Sequence, residues 1–180
     1  MNVVTLLAAF EFAADKHRNQ RRKDAKASPY VNHVIAVTRI LAAEGGVDDD
    51  ATLVAAVLHD TVEDTDTTFD ELTTRFGATV SDLVREMTDD KTLEKAVRKQ
   101  HQIDHAPGAS ALAKQLKIAD KIANIRDITT GPPVDWPRER KLEYFSWAEQ
   151  VVAGCRGINP ELERAFDEAV AMGRAREERD

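Results

Sequence analysis

His59 and Asp60 follow directly on the apolar run Leu53-Val54-Ala55-Ala56-Val57-Leu58, and Glu63 and Asp64 stand four residues beyond them. Polar groups at the end of a segment bound for the core need a physical reason to be there. If one helix runs on through the pair, His59 and Glu63 share one edge and Asp60 and Asp64 the next. Four ionisable side chains, three of them acidic, then fill one sector, where they repel one another unless a cation lies among them. A divalent metal resolves that conflict. Two other apolar helices offer matching groups: His33 in Tyr30-Val31-Asn32-His33-Val34-Ile35, and Asp120 in Leu116-Lys117-Ile118-Ala119-Asp120-Lys121-Ile122. Asn124 and Asp127 continue the Asp120 face by one and two turns. Taken singly, each piece has an ordinary reading as core polarity or an ion-pair partner. Together, two imidazoles and two carboxylates suit Mn²⁺, Fe²⁺, Co²⁺ or Zn²⁺, and suit all-oxygen cations such as Ca²⁺ poorly. Only four protein ligands would leave an octahedral ion positions for water and substrate oxygens, as metal-assisted hydrolysis requires.

A second group could bind an anion. Lys16, Arg18, Arg21, Arg22, Lys23 and Lys26 lie within eleven residues and face only Asp24. Such a run is either a solvated loop or a phosphate clamp, with Arg forks on phosphate oxygens and Lys as a point charge. So short a run fits a small phosphorylated ligand better than a nucleic acid, which needs a longer track. Residues 48–90 are the reverse, with thirteen acids against Arg75 and Arg85. A third group is Trp136, Arg140, Tyr144 and Trp147. Arg140 sits one helical turn from both Trp136 and Tyr144, which leaves core packing and a substrate-facing role both open. Core packing is the expectation for Phe145 and Trp147. His17, His101 and His105 lie in polar surroundings and are expected to be exposed or partly exposed.

These residues must be positioned by helices. Val3, Val4, Leu6, Leu7, Phe10 and Ala14 follow helical spacing, giving a first amphipathic helix to about Arg18. Ser28-Pro29 is spaced as N-cap and first residue of a second helix, which Gly45-Gly46 ends. A third runs from Asp48 to about Asp64. Thr68-Phe69-Asp70-Glu71 has capping-box spacing for a short helix ended by Gly77. Further helices are expected at 79–88, 92–105, 110–129, 138–153 and 161–176, the last capped by Asn159-Pro160. Strand signals are almost absent. The expected fold is all-α: one bundle of roughly eight to ten helices.

Composition narrows the function further. The chain has 180 residues, enough for one domain with a real core. Its net charge of −7 and pI near 5.3 argue against nucleic-acid polymers and anionic membrane as partners. A lone cysteine, Cys155, excludes an internal disulfide and a Cys-based zinc knuckle. No apolar run approaches the roughly 20 residues of a membrane span, and the apolar start Met1–Phe10 lacks a basic leader segment. A reduced, cytoplasmic setting is expected.

His33, then His59-Asp60, then Asp120 resembles the H…HD…D signature of the HD-domain metal-dependent phosphohydrolases. More closely, the chain resembles the hydrolase domain of the RelA/SpoT family and its stand-alone metazoan-type small alarmone hydrolases. The blocks that carry this are Arg21-Arg22-Lys23-Asp24, Pro29-Tyr30-Val31-Asn32-His33, Leu58-His59-Asp60-Thr61-Val62-Glu63-Asp64-Thr65, Phe76-Gly77, Thr88-Asp89-Asp90-Lys91 and Lys117-Ile118-Ala119-Asp120-Lys121. They fall in order over nearly the whole chain.

The resemblance implies a single HD hydrolase domain over 1–180, with a metal-site core at about 28–130 and C-terminal helices at 138–176 completing the pocket. It implies removal of pyrophosphate from the 3′ position of ppGpp and pppGpp, leaving GDP or GTP. One Mn²⁺ per site, or another divalent transition metal, would be held by His33, His59, Asp60 and Asp120. Glu63 and Asp64 would position or activate the attacking water. Arg22, Lys23 and Asn124 would line the nucleotide side, with Arg140 and Tyr144 near phosphates. The long members' synthetase regions have no room here, which implies hydrolysis without synthesis by a monomer or homodimer. Val34 stands where a proline often follows the histidine, and Ala123, where an aromatic is common, is expected to widen the base pocket. NADPH 2′-phosphatase or another HD-domain nucleotide phosphohydrolase activity is the alternative. A non-catalytic nucleotide-sensing module fits less well, because binding alone has no need of Glu63 and Asp64.

Overall fold

The computed structural model describes residues 2–179, and ten α-helices run through them. In chain order they are α1 (Val3–Lys16), α2 (Val31–Arg39), α3 (Asp50–Leu58), α4 (Thr61–Asp64), α5 (Phe69–Phe76), α6 (Ala78–Met87), α7 (Lys95–His105), α8 (Ala111–Thr130), α9 (Arg138–Ala153) and α10 (Pro160–Glu177). A π-helical turn, Ile40–Glu44, prolongs α2. Among the described residues there is no β-strand, only an isolated bridge between Arg21 and Pro29. The all-α expectation holds. Met1 and Asp180, the ends of the expected domain, lie outside the described residues.

Side-chain caps set where five helices start, because the first N–H groups of a helix have no partner within it. Asn2 accepts from Thr5 N–H at 3.2 Å, Asp49 from Thr52 at 2.7 Å and Thr68 from Glu71 at 3.1 Å. Ser110 accepts from Ala113 at 3.2 Å and Asn159 from Leu162 at 3.1 Å. Gly77, at φ 91°, makes the left-handed corner between α5 and α6 that favours glycine.

Two expected boundaries are corrected. Ser28 does not cap α2, because its N–H and hydroxyl both bond Asp24, at 2.9 and 2.6 Å. Pro29 instead pairs with Arg21, and the helix waits until Val31. The expected helix 48–64 is likewise not continuous: α3 stops at Leu58, His59 and Asp60 form a turn, and α4 resumes at Thr61. The Thr61 hydroxyl takes the Leu58 carbonyl at 2.7 Å, closing that turn.

Helices α3 and α8 form the centre. Every residue of α3 from Thr52 to Leu58 is buried, and α1, α2, α6 and α8 pack around it. Helix α8 in turn carries α2, α9 and α10 on its other sides. Leu116, Ile118, Ile122 and Ile125 of α8 are fully buried, and cutting one such side chain to alanine costs about 2–5 kcal/mol. A Cβ on Gly173 would stand 2.8 Å from the Phe145 ring, so glycine lets α10 close onto α9. The packing of α2, α3 and α8 on one another brings the ends of distant segments to one place.

Candidate metal-centred active site

Helix α2 delivers His33, the turn after α3 delivers His59 and Asp60, and α8 delivers Asp120. The ligand atoms of His33, His59 and Asp60 all lie within 4.8 Å of one another. Asp120 Oδ1 closes the group, 3.2 Å from His33 Nε2 and 3.8 Å from His59 Nε2. All four residues expected from the sequence are thus brought together.

The donor set fits a cation. His59 Nδ1 donates to the Ala56 carbonyl at 2.8 Å, which puts the proton there and leaves the lone pair on Nε2. That nitrogen is buried, stands 2.9 Å from Asp60 Oδ2, and makes no hydrogen bond in this geometry. A buried lone pair facing a carboxylate oxygen is a coordination geometry rather than a hydrogen-bonding one. Without a cation, protons must take its place. Burial opposes charge on His59, yet Asp60 and Asp120 raise its pKa to about 9. Burial also opposes charge on Asp60 and Asp120. The imidazoles, and for Asp120 first the Lys121 ammonium, nevertheless hold both below the usual carboxylate range.

Side chains around the ligands fix their direction. Lys121 Nζ bonds Asp120 Oδ2 at 2.9 Å, Asn124 Nδ2 donates to Asp120 Oδ1 at 2.7 Å, and Tyr30 Oη donates to Asp60 Oδ2 at 2.5 Å. Lys121 is only 6% exposed and also lies 4.7 Å over the Trp147 ring.

Glu63 and Asp64, neighbours on α4, face different cavities, and the Asp64 N–H still bonds the Asp60 carbonyl at 2.9 Å. Glu63 borders a small cavity of about 130 Å³ that also exposes His59, Asp60 and Asp120. Its Oε2 accepts the Asp89 N–H at 3.0 Å, leaving Oε1 uncommitted, with Lys91 and Arg98 at 3.9 and 4.0 Å. Burial, helped by repulsion from Asp60, Asp89 and Asp64, pushes the Glu63 carboxyl up to about 7. Asp64 borders instead a larger cavity of about 540 Å³, and bonds Gln20 and Lys91. Tyr30, His33 and Asn124 line both cavities, so the two meet at the ligand cluster.

Arg22, Lys23, Asn124 and Tyr144 all line the larger cavity, as expected from the sequence. Arg22 is also an internal brace, donating to Asp127 Oδ2 at 2.7 Å and Asn124 Oδ1 at 3.0 Å. Arg140 is not among the lining residues; its guanidinium stacks 4.5 Å over Trp136, which is. Trp136, Tyr144 and Trp147 form a ladder with centroids 5.8 and 5.2 Å apart. Trp147 and Phe145 pack against the core, as expected. Ala123 and Val34 are both buried in the core, and neither lines the larger cavity.

Sequence reasoning missed several residues. His17, expected to be exposed or partly exposed, is 2% exposed and packs on the Tyr30 ring, while His101 and His105 are exposed as expected. Lys95 and Lys99 of α7 are held below the usual lysine range, first by burial and then by neighbouring cations that include Arg140. Their spacing with Arg98, one turn apart on one helix face, was the available signal.

A model of the HD domain matches residues 9–143. The chain belongs to the HD-domain family. Within that family, it is 55% identical over 161 residues to the human guanosine-3′,5′-bis(diphosphate) 3′-pyrophosphohydrolase MESH1, covering 89% of this chain and 90% of that one. It is 49% identical over 162 residues to the Drosophila melanogaster protein of the same name, covering 90% of each. A solved structure described as a metazoan ortholog of SpoT that hydrolyzes ppGpp superposes with a TM-score of 0.89 at 48% identity, over 92% of this chain and 93% of that one.

Proposed function

We propose that this chain is a guanosine-3′,5′-bis(diphosphate) 3′-pyrophosphohydrolase, converting ppGpp and water to GDP and pyrophosphate, and pppGpp to GTP and pyrophosphate. The observation that carries this reading is the junction of the two cavities. A His33/His59/Asp60/Asp120 cluster opens at Tyr30 and Asn124 onto a chamber lined by Arg22 and Lys23. Nine-tenths coverage by relatives bearing that activity in their names supports it.

In this reading His33, His59, Asp60 and Asp120 hold one Mn²⁺. When bound, a divalent cation withdraws charge from a phosphoryl oxygen and acidifies water. Glu63 Oε1 takes the proton of the attacking water, its raised pKa matching a base that works near neutral pH. Oε2 is kept out of that exchange by the Asp89 N–H. As the water oxygen bonds to phosphorus, the bond from phosphorus to the 3′ oxygen breaks and pyrophosphate leaves, while the 3′ oxygen takes up a proton from solvent to become a hydroxyl and Glu63 returns its own to solvent. Asp64 orients the water from the large-cavity side. Lys23 and Arg22 offset phosphate charge there, and Arg140 on Trp136 with Lys95 and Lys99 extends the cationic rim. Asn124 and Tyr144 contact the nucleotide.

Residues 1–180 form a single hydrolase domain in this proposal, with helices 138–176 closing the pocket around the 28–130 core. The protein acts as a monomer or homodimer in the cytoplasm. Among the described residues no helix is long and apolar enough to cross a membrane. NADPH, whose 2′-phosphate the same cations would hold, is the alternative substrate.

The test is a side-by-side turnover assay on ppGpp and NADPH with Mn²⁺ and the full chain. GDP and pyrophosphate released faster than NADPH is dephosphorylated is the expected result. Turnover of NADPH alone would transfer the assignment to a 2′-phosphatase. A metal-loaded protein that turns over neither would be a nucleotide-sensing module.

A further inference from the structure

The connection between α1 and α2 sets Arg21, Arg22 and Lys23 along the large cavity and brings Gln20 and Tyr30 to the acids of the site. Tyr30 Oη donates to Asp60 Oδ2, the oxygen that stands 2.9 Å from His59 Nε2 and 3.8 Å from His33 Nε2. The Tyr30 ring lies between two imidazoles, 4.8 Å from His17 and 5.6 Å from His33. His17, itself buried, places Nδ1 2.6 Å from Gln20 Oε1. An amide oxygen only accepts, so His17 is the donor, and the amide is turned with its nitrogen outward. That nitrogen donates to Asp64 Oδ2 at 2.8 Å. The backbone ties the arrangement together, with Tyr30 N–H on the Gln20 carbonyl at 3.1 Å.

Two carboxylates at the two ends of α4, Asp60 and Asp64, are thereby fixed from the same connection by separate routes. Lys91 also bonds Asp64, but its side chain is 48% exposed, and a solvated ammonium sets direction weakly. We propose that Tyr30 and the His17–Gln20 pair are positioning residues with divided duties: Tyr30 orients Asp60 for the metal, and His17–Gln20 orients Asp64 for the attacking water. This rests on the metal-centre reading given above.

The division is read by titrating the metal-free full chain with Mn²⁺ calorimetrically and measuring ppGpp turnover on the same samples. Tyr30→Phe removes one hydroxyl and keeps the ring between its imidazoles. It is expected to weaken Mn²⁺ binding about 10–100-fold while the metal-free melting temperature stays put. Gln20→Met keeps the length and removes the amide. It is expected to bind Mn²⁺ as the wild type does, with KM unchanged and kcat lowered about 10-fold or more. Tyr30→Phe binding Mn²⁺ at wild-type affinity would overturn the proposal, as would Gln20→Met losing affinity as far as Tyr30→Phe does. If Tyr30→Phe does not fold, Gln20→Met decides: wild-type kcat overturns it. Asp60→Ala run in parallel separates the two levels. Wild-type Mn²⁺ affinity in that variant would bring down the metal-centre reading itself.

Discussion

The backbone N–H of Asp89 donates to Glu63 Oε2 at 3.0 Å, tying the loop after α6 to an acid of α4. The bond takes up one carboxylate oxygen and leaves the other beside the ligand cluster, in a pocket dry enough to lift the pKa to about 7. A carboxylate so placed moves protons better than it binds metal.

Glu63→Gln preserves the shape and the Asp89 bond but cannot take up a proton. Metal content should remain at the wild-type level while turnover falls about 10²–10⁴-fold, the range of one general base. Metal analysis and a GDP-release assay on one preparation read both. Loss of metal together with activity would assign Glu63 to the ligands instead.

Asp120 pairs with the buried Lys121 ammonium at 2.9 Å and stands 3.2 Å from His33 Nε2. Asp120→Ala in the metal-free protein leaves a buried ammonium unpaired, and should cost about 3–5 kcal/mol in urea unfolding. Adding Lys121→Met should restore most of that stability without restoring Mn²⁺ binding. A double variant no more stable than the single would show that the ion pair is not the source of the loss.

The metal-free protein should also lose stability as pH rises from 7 to about 8.5. The folded His59 holds its proton up to about pH 9, against an ordinary 6.5, so the folded state binds the proton that the unfolded chain has released. That stabilisation is complete below 6.5 and is lost on approach to 9, with a full value on the order of 3 kcal/mol. His17, whose pKa burial lowers, has the opposite sign but acts below this window. Saturating Mn²⁺ displaces the proton and should remove the slope. Melting curves at the two pH values, with and without Mn²⁺, give the comparison. A slope unchanged by Mn²⁺ would count against His59 as a ligand.

Much of this was legible in the sequence, for physical reasons that differ by residue. The Thr68 and Asn159 caps were readable because a cap is local chemistry: one side chain and an N–H three residues on. The ligand quartet was readable because buried charge on apolar helices demands compensation. The break at His59-Asp60 was not, since a four-residue period fits a continuous helix and an interrupted one alike. Ser28 misled for a related reason, as its hydroxyl found Asp24 four residues back instead of the helix ahead. Tyr30 escaped notice because its partner Asp60 stands 30 positions away, and His17 because its burial comes from packing on Tyr30 and not from its own polar neighbours. Arg22 was identified as a cation of the pocket, but its brace to Asp127 spans 105 positions, a pairing that only the fold creates.

The most direct test strips the full chain of metal, confirms the loss by elemental analysis, and follows pyrophosphate release from ppGpp as Mn²⁺ is returned. Turnover should be absent without metal and should recover in proportion to Mn²⁺ bound, levelling at one ion per chain. It should stay absent in Asp60→Ala at every Mn²⁺ concentration. Undiminished ppGpp cleavage by the metal-free protein, or by Asp60→Ala, would contradict a metal-centred pyrophosphohydrolase at His33, His59, Asp60 and Asp120.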